Sequence, residues 1–106
     1  MLIKYNVRFD NEAIETNIIR LINQLYRLLP LREEGGDWTK PLDNLIIDVT
    51  GLVSLIPATQ ANTFAILCKL EGLKTLTAKE NFMLYRKTIF ETLNLLNELK
   101  LYVKRS

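Results

Sequence analysis

Residues 41–56 read PLDNLIIDVTGLVSLI, and this stretch decides between a helical bundle and a mixed α/β fold. Its apolar side chains recur at alternating steps of three and four residues, as on one face of a helix: Leu42, Leu45, Val49, Leu52 and Ile56. Leu45–Thr50 alone also has the character of a buried strand, because it is rich in β-branched residues and is followed by Gly51. The regular seam over the whole stretch is the stronger pattern, so we predict a helix over Pro41–Ile56.

Two more helices are predicted on either side of this stretch. Apolar residues recur every three or four positions over Asn11–Leu29, which predicts a first helix that ends at Pro30. Ala58–Glu71 predicts a short helix, with Gly72 placed to end it in the left-handed conformation. Cys68 is expected on the inner side of that short helix, as a small core residue.

The last helix is predicted to be the longest. Thr77–Glu80 has the spacing of a capping box, in which Thr77 caps the first turn and Glu80 returns to the amide of the cap. Residues 78–106 contain no glycine or proline. The apolar seam of this segment consists of Phe82, Tyr85, Ile89, Leu93, Leu96, Leu99 and Val103.

Two segments are predicted to be non-helical. In Met1–Phe9 polar and apolar residues alternate, which is the period of a strand and predicts an extended segment. Pro30–Lys40 combines two glycines with three acidic residues and predicts a loop, whose Trp38 folds back over the core. We therefore predict a mainly α fold, a small bundle of four helices with a short extended N-terminal segment.

Length and composition indicate one globular domain over residues 1–106. The chain has 106 residues, of which 48% are hydrophobic and 25% charged, as in ordinary folded proteins. No apolar run approaches the roughly 20 residues that span a bilayer, and Met1–Phe9 lacks the apolar core of a signal peptide. The single cysteine is typical of a reducing compartment, so we expect a cytoplasmic protein.

The residues available for catalysis are few. The chain contains no histidine, which removes the usual general base near neutral pH and the commonest metal ligand. One cysteine without histidine excludes the zinc-ligand spacings, and the four glycines form no phosphate-binding loop. We therefore expect a protein that is not an enzyme and that uses no metal and no cofactor.

The charge is distributed unevenly. Residues 1–68 carry six basic and eight acidic groups, a net −2, whereas residues 69–106 carry eight basic and four acidic groups, a net +4. On one continuous helix, Lys79, Arg86 and Lys104 fall within about 20° of one another. This row predicts a surface for nucleic-acid phosphates, made of Lys79, Arg86, Lys87, Asn97, Lys100, Lys104 and Arg105. The alternative is an ordinary solvated helix face, whose cations complement the helix dipole.

The helix order, the size and the mild basicity resemble the small-subunit family of Class 1 CRISPR effector complexes. The resemblance is carried by architecture and is clearest in KLEGLKTLTAKENFMLYRKTIFETLNLLNELK, Lys69–Lys100. It implies a non-catalytic helical subunit that contacts guide RNA or displaced single-stranded DNA through the backbone phosphates. It also implies partner subunits, several copies of the chain stacked head to tail, and no membrane.

Two other interpretations remain open at this point. The order strand, helix, LIIDVTGLVSL and helix is similar to the α/β STAS domain of anti-sigma-factor antagonists, a small regulatory protein-binding domain. That resemblance implies a phosphorylated residue, Ser54 or Thr59. A phage- or plasmid-encoded inhibitor of a host protein is the third interpretation, with Trp38 and the acidic loop as its contact surface.

Overall fold

The computed structural model describes the backbone of residues 2–55 and 60–105, and the side chains of residues 12–52 and 62–104. It contains four α-helices: α1 (Leu2–Glu33), α2 (Thr39–Leu55), α3 (Gln60–Leu73) and α4 (Phe82–Arg105), with a 3₁₀ turn at Lys79–Asn81 before α4. The described residues form no strand, so the predicted four-helix fold is confirmed and the STAS-like alternative is not favoured.

The helices form a closed bundle. Each helix packs against the next one in the chain, and α4 packs against α1. The pairs Arg32–Tyr85 and Tyr26–Phe90 show that α4 runs antiparallel to α1. The molecule is a rod of 54 × 22 × 18 Å. Its buried apolar residues are Ile14, Ile18, Leu21, Leu25, Leu28, Trp38, Leu42, Leu45, Val49, Leu52, Ile66, Leu70, Leu73, Tyr85, Ile89, Leu93, Leu96, Leu99 and Val103.

The N-terminal segment differs from its prediction. The expected extended conformation is wrong for residues 2–9, because α1 begins at Leu2. A lone strand beside a helical bundle leaves its backbone hydrogen-bonding groups without a partner strand. Extension of an existing helix instead adds one hydrogen bond per residue, and residues 2–29 contain no glycine or proline to interrupt it.

Pro30 does not end α1, contrary to the prediction; the helix continues to Glu33. The end is set by a Schellman motif, in which the Gly36 amide donates to the Leu31 carbonyl (2.9 Å) and the Gly35 amide donates to the Arg32 carbonyl (3.0 Å). Gly35 has φ +77°, which a residue with a side chain adopts only at a cost. The extra turn brings Arg32 to the end of the bundle.

Helix α2 confirms the apolar seam within the residues that are described. Leu42, Leu45, Val49 and Leu52 are buried, and Thr39–Leu55 is helical throughout, including the segment with strand character. The fifth seam residue, Ile56, lies outside the described residues, as do Thr59 and the side chain of Ser54. Burial of one whole face stabilises the helix more than the local β preference of Leu45–Thr50 opposes it.

Helix α3 corrects two predictions. Gly72 lies inside the helix and does not have a positive φ. After the helix, the amides of residues 74, 75 and 76 donate to the carbonyls of Glu71, Gly72 and Leu73, each three residues earlier. Cys68 is exposed instead of buried. The buried face of α3 is formed by Thr63, Ile66, Leu70 and Leu73, so Cys68 lies on the opposite side.

The predicted capping box before α4 does not form. Ala78 precedes the 3₁₀ turn and no side chain caps it. The Arg32 guanidinium donates instead to the carbonyl of Leu76 and, at 2.8 Å, to that of Ala78. A long-range contact from α1 therefore fixes the entry into α4.

The same guanidinium lies among three aromatic rings. Its central carbon is 4.2 Å from the centroid of Tyr85, 5.2 Å from Trp38 and 5.7 Å from Phe82. Trp38 packs edge-to-face on Tyr85 at 5.0 Å and is only 9% exposed, which confirms that it folds back over the core. We call Arg32, Trp38, Phe82 and Tyr85 the Arg32 cluster.

Two glycine substitutions are expected to move stability in opposite directions. Gly35→Ala places a side chain at positive φ and should lower the free energy of unfolding by about 1–2 kcal/mol. Gly51 lies within α2, and a Cβ added there meets open space. Gly51→Ala should therefore raise the free energy of unfolding by up to about 1 kcal/mol. Urea denaturation of both variants measures the difference, and equal effects would contradict the assigned end of α1.

Loss of the Arg32 cluster is expected to destabilise the bundle. Arg32→Met removes three cation–π contacts and two hydrogen bonds to carbonyls, and should cost about 2–4 kcal/mol. Arg32→Lys keeps the charge but loses the planar guanidinium, so its stability should fall between those of Arg32→Met and the wild type. The matched control is Arg20→Met on the exposed side of α1, which should stay within about 0.5 kcal/mol of wild type in urea denaturation.

Candidate nucleic-acid interface

One side of α4 carries donors and apolar groups but no carboxylate. The adjoining side is buried against α1 and α3 and reaches Leu93, which falls between Lys100 and Arg86, so the donor-bearing side lies beside the core and not opposite to it. Viewed down the axis of α4, the positions of Lys100 and Lys87 are about 140° apart. The arc between them contains no aspartate or glutamate. We call this side the basic arc; its described members are Arg86, Lys87, Asn94, Asn97, Lys100 and Lys104, with Met83, Phe90 and Leu101 among them.

The cations of the basic arc are not paired with acids in the described part of the chain. Arg86, Lys87, Lys100 and Lys104 form no ion pair there. Glu91 stands one helical turn after Lys87, but its carboxylate accepts from Lys69 of α3 at 3.2 Å. The positive charge of the arc is therefore available to an external anion.

Two other basic residues of the C-terminal half, Lys69 and Lys74, form ion pairs with acids. Lys74 Nζ lies 3.0 Å from Asp43 Oδ1 and 3.7 Å from Glu71 Oε2. The hydrogen bond to Asp43 raises the pKa of Lys74, with a smaller contribution from the charge of Glu71. These pairs are exposed and contribute little stability. Among the described cations of this half, Lys69 and Lys74 are therefore paired with acids, whereas those of the basic arc are not.

The seven predicted site residues do not all lie together on one exposed face of α4. Arg86, Lys87, Asn97 and Lys104 are exposed on α4, and Lys100 is half-buried. Arg86 and Lys104 are five helical turns apart, a separation of about 27 Å. Lys79 belongs to the 3₁₀ turn instead of α4, so its predicted alignment with Arg86 on one continuous helix does not hold. Arg105 is the last residue of α4, and its side chain lies outside the described ones.

An aromatic pair lies within the same surface. Tyr26 of α1 and Phe90 of α4 pack edge-to-face, with centroids 6.3 Å apart and an interplanar angle of 79°. The Arg86 guanidinium lies 5.0 Å from the centroid of Phe90. Tyr26 is 49% and Phe90 38% exposed. The helical spacing of the sequence places Phe90 beside the basic residues of α4, whereas nothing in the local pattern of α1 indicates that Tyr26 meets this ring.

Arg86 and Lys87 are adjacent cations at the end of the basic arc that lies away from Glu12 and Glu15. The antiparallel register of α1 and α4 brings Glu12 and Glu15 to the level of Lys104 and Lys100 without an ion pair to either lysine. These acids partly offset the charge at that end of the arc. Arg86 and Lys87 are therefore the centre of the candidate interface.

A separate cavity of about 510 Å³ lies between α1 and α2. Its lining residues are Gln24, Arg27, Leu28, Leu31, Asp37, Lys40, Pro41 and Asn44. Asp37 Oδ1 accepts from the Thr39 hydroxyl at 2.6 Å and from the Thr39 amide at 3.0 Å, and these bonds lower its pKa. The acid thus stays ionised beside Arg27 and Lys40, which reduces the attraction of this cavity for an anion.

Tyr85 is the buried titratable group. Its side chain is fully buried, and its hydroxyl oxygen has no hydrogen-bond partner in the described residues. Burial raises the pKa of Tyr85 to about 12, although the nearby positive charge of Arg32 opposes this shift. The hydroxyl is therefore a neutral group of the core and is not placed to act on a ligand.

The described residues offer no metal site and no membrane span. Over the described side chains, no group of three histidine, cysteine, aspartate or glutamate residues could hold a metal ion. In that same part of the chain, no helix is long and apolar enough to cross a membrane. Trp38 is buried, so the inhibitor interpretation is wrong in using its ring as a contact surface.

Comparison with known proteins leaves the family of this chain open. The chain matches no protein-family model, no curated protein and no solved structure.

The pKa of Tyr85 predicts a loss of stability at alkaline pH. Because the folded-state pKa of about 12 exceeds the ordinary value of 10.0, the contribution of Tyr85 is complete below pH 10 and is lost as the pH rises towards 12. Tyr85→Phe removes this dependence and also the unpaired hydroxyl. The measurement is the urea midpoint of wild type and variant between pH 9 and pH 12. We expect the variant to gain on the wild type above about pH 10, whereas parallel curves would contradict the shift.

Proposed function

We propose that this chain is a non-catalytic helical subunit of a cytoplasmic nucleoprotein complex. It binds RNA or single-stranded DNA through the backbone phosphates, without sequence preference, and the basic arc is its binding surface. The observation that carries the proposal is that, in the described part of the chain, the cations along the basic arc of α4 form no ion pair and the arc itself contains no carboxylate.

Phosphates fit this surface for electrostatic reasons. Each cation that neutralises a phosphate releases condensed counterions, and this release supplies most of the affinity in sequence-independent binding. The amides of Asn94 and Asn97 lie between the cations and add hydrogen-bond donors for phosphate or sugar oxygens. A single convex helix face presents no pocket for a base edge, which accounts for the proposed lack of sequence preference.

The shape of the molecule supports a role in an assembly. The bundle is a rod 54 Å long with an all-helical fold in its described part, as the resemblance to the CRISPR small subunits implies. The binding arc runs along the rod, so copies stacked end to end would present one continuous track to a strand. Such head-to-tail contacts form open rows instead of closed pairs.

Charge reversal at the centre of the arc tests this function. Arg86→Glu combined with Lys87→Glu should weaken binding to a single-stranded RNA or DNA oligonucleotide about tenfold or more at moderate salt. The slope of log affinity against log salt should fall by about 0.7 for each phosphate contact that is lost. Fluorescence anisotropy with a labelled oligonucleotide over a series of salt concentrations measures both quantities.

The control separates the position of the charge from its amount. Arg27→Glu combined with Lys40→Glu makes the same change in net charge beside the cavity between α1 and α2. This control should retain most of the affinity and the wild-type salt slope. If both double variants weaken binding equally, or if neither does, the assignment of the interface to the basic arc is wrong.

A further inference from the structure

The basic arc contains more exposed apolar surface than phosphate binding needs. Phe90 and Leu101 lie on it with 38% and 48% of their surface exposed, and Tyr26 of α1 adjoins Phe90 with 49% exposed. Exposed aromatic rings beside unpaired cations mark a surface for a ligand that is both anionic and flat.

The Tyr26–Phe90 pair keeps ring surface exposed. In this edge-to-face pair the edge of one ring meets a face of the other, and Tyr26 stays 49% and Phe90 38% exposed. The Arg86 guanidinium, 5.0 Å from the Phe90 centroid, is itself a flat group that stacks on bases. Tyr26, Arg86 and Phe90 therefore form one continuous patch, which we call the aromatic platform.

We propose that the aromatic platform stacks on unpaired bases, so that the site selects single-stranded over double-stranded nucleic acid. The inference rests on the proposed function, because the phosphates must first bring the strand to the basic arc. Every base has a π-face, so stacking adds affinity without sequence preference. In a duplex the bases are already stacked on one another, and their faces do not reach the platform.

A second copy of this chain fits the same surface less well. Two copies that met at their basic arcs would bring Arg86, Lys87 and Lys104 of both chains together. The carboxylates beside the arc, Glu98 of α4 and Glu12 and Glu15 of α1, flank these cations and offset the repulsion only in part. The platform with its cations is therefore complementary to a polyanion with aromatic groups, and a nucleic-acid strand with unpaired bases has both.

The test compares three probes of equal length: a single-stranded DNA, the same strand with all bases removed, and the corresponding duplex. The abasic strand keeps the phosphates and loses every base, so it isolates the stacking contribution. Wild-type protein should bind the normal strand about tenfold or more tightly than the abasic strand. It should also prefer the normal strand to the duplex.

The variant Tyr26→Leu combined with Phe90→Leu removes both rings but keeps apolar side chains, and should bind the normal and abasic strands equally. The matched control is Phe64→Leu, which removes an exposed ring from α3 and should behave as wild type. Circular dichroism of each variant confirms the helical fold.

The outcomes separate the two proposals. Salt-dependent binding of wild type to the normal and abasic strands with equal affinity overturns the platform and leaves the phosphate surface in place. Binding of wild type to none of the probes overturns the proposed function and the platform together. A double variant that keeps the wild-type preference for the normal strand would assign stacking to other residues, and would also overturn the platform.

Discussion

The guanidinium of Arg32 connects the parts of this bundle that the backbone alone leaves separate. It comes from the last turn of α1, contacts Trp38 before α2, and donates to two carbonyls in the segment that leads into α4. A planar cation is suited to this place, because its faces stack on rings while its edges donate hydrogen bonds. The charge stays close to the surface and so avoids the full cost of burial. Through its contact with Tyr85, the guanidinium also helps to set the register of α4 along α1.

The candidate interface depends on that packing register. Tyr26 and Phe90 are on different helices. They meet because the contact between Arg32 and Tyr85, about one and a half turns further along, fixes the register of α1 and α4. The buried seam of α4 turns its cations outwards, and the carboxylate of Glu91 is drawn to Lys69 of α3. One ion pair, between Glu91 and Lys69, therefore joins α4 to α3, while the described cations of the basic arc form no ion pair in the described part of the chain. The proposed binding surface follows from where the bundle places its acids as much as from where it places its bases.

Much of the fold is predictable from local pattern because it depends on periodicity. The apolar seams of α2 and α4 have the spacing of a helix face, and the structure buries them as expected, with Phe82 half-buried at one end and Ile56 outside the described residues. The errors lie at the ends of elements, where local signals compete. Pro30 and Gly72 are strong helix-ending residues, yet α1 continues past the first and α3 includes the second. The alternation in residues 2–9 favours a strand that has no partner in a helical bundle.

The sequence by itself determined the helical seams, the absence of histidine and the net positive charge of residues 69–106, since these follow from residue type and spacing. Only the tertiary structure decided which cations remain unpaired, that Lys79 leaves the row, and that Tyr26 joins Phe90. It also left the expected cap at Thr77 unformed and held this segment through Arg32, whose guanidinium donates to the carbonyls of Leu76 and Ala78. The physical reason is that ion pairs, ring contacts and hydrogen bonds of this kind depend on distances between helices. Periodicity specifies which face of a helix is buried. Which helix packs against that face, and in which register, is decided only when the whole core assembles.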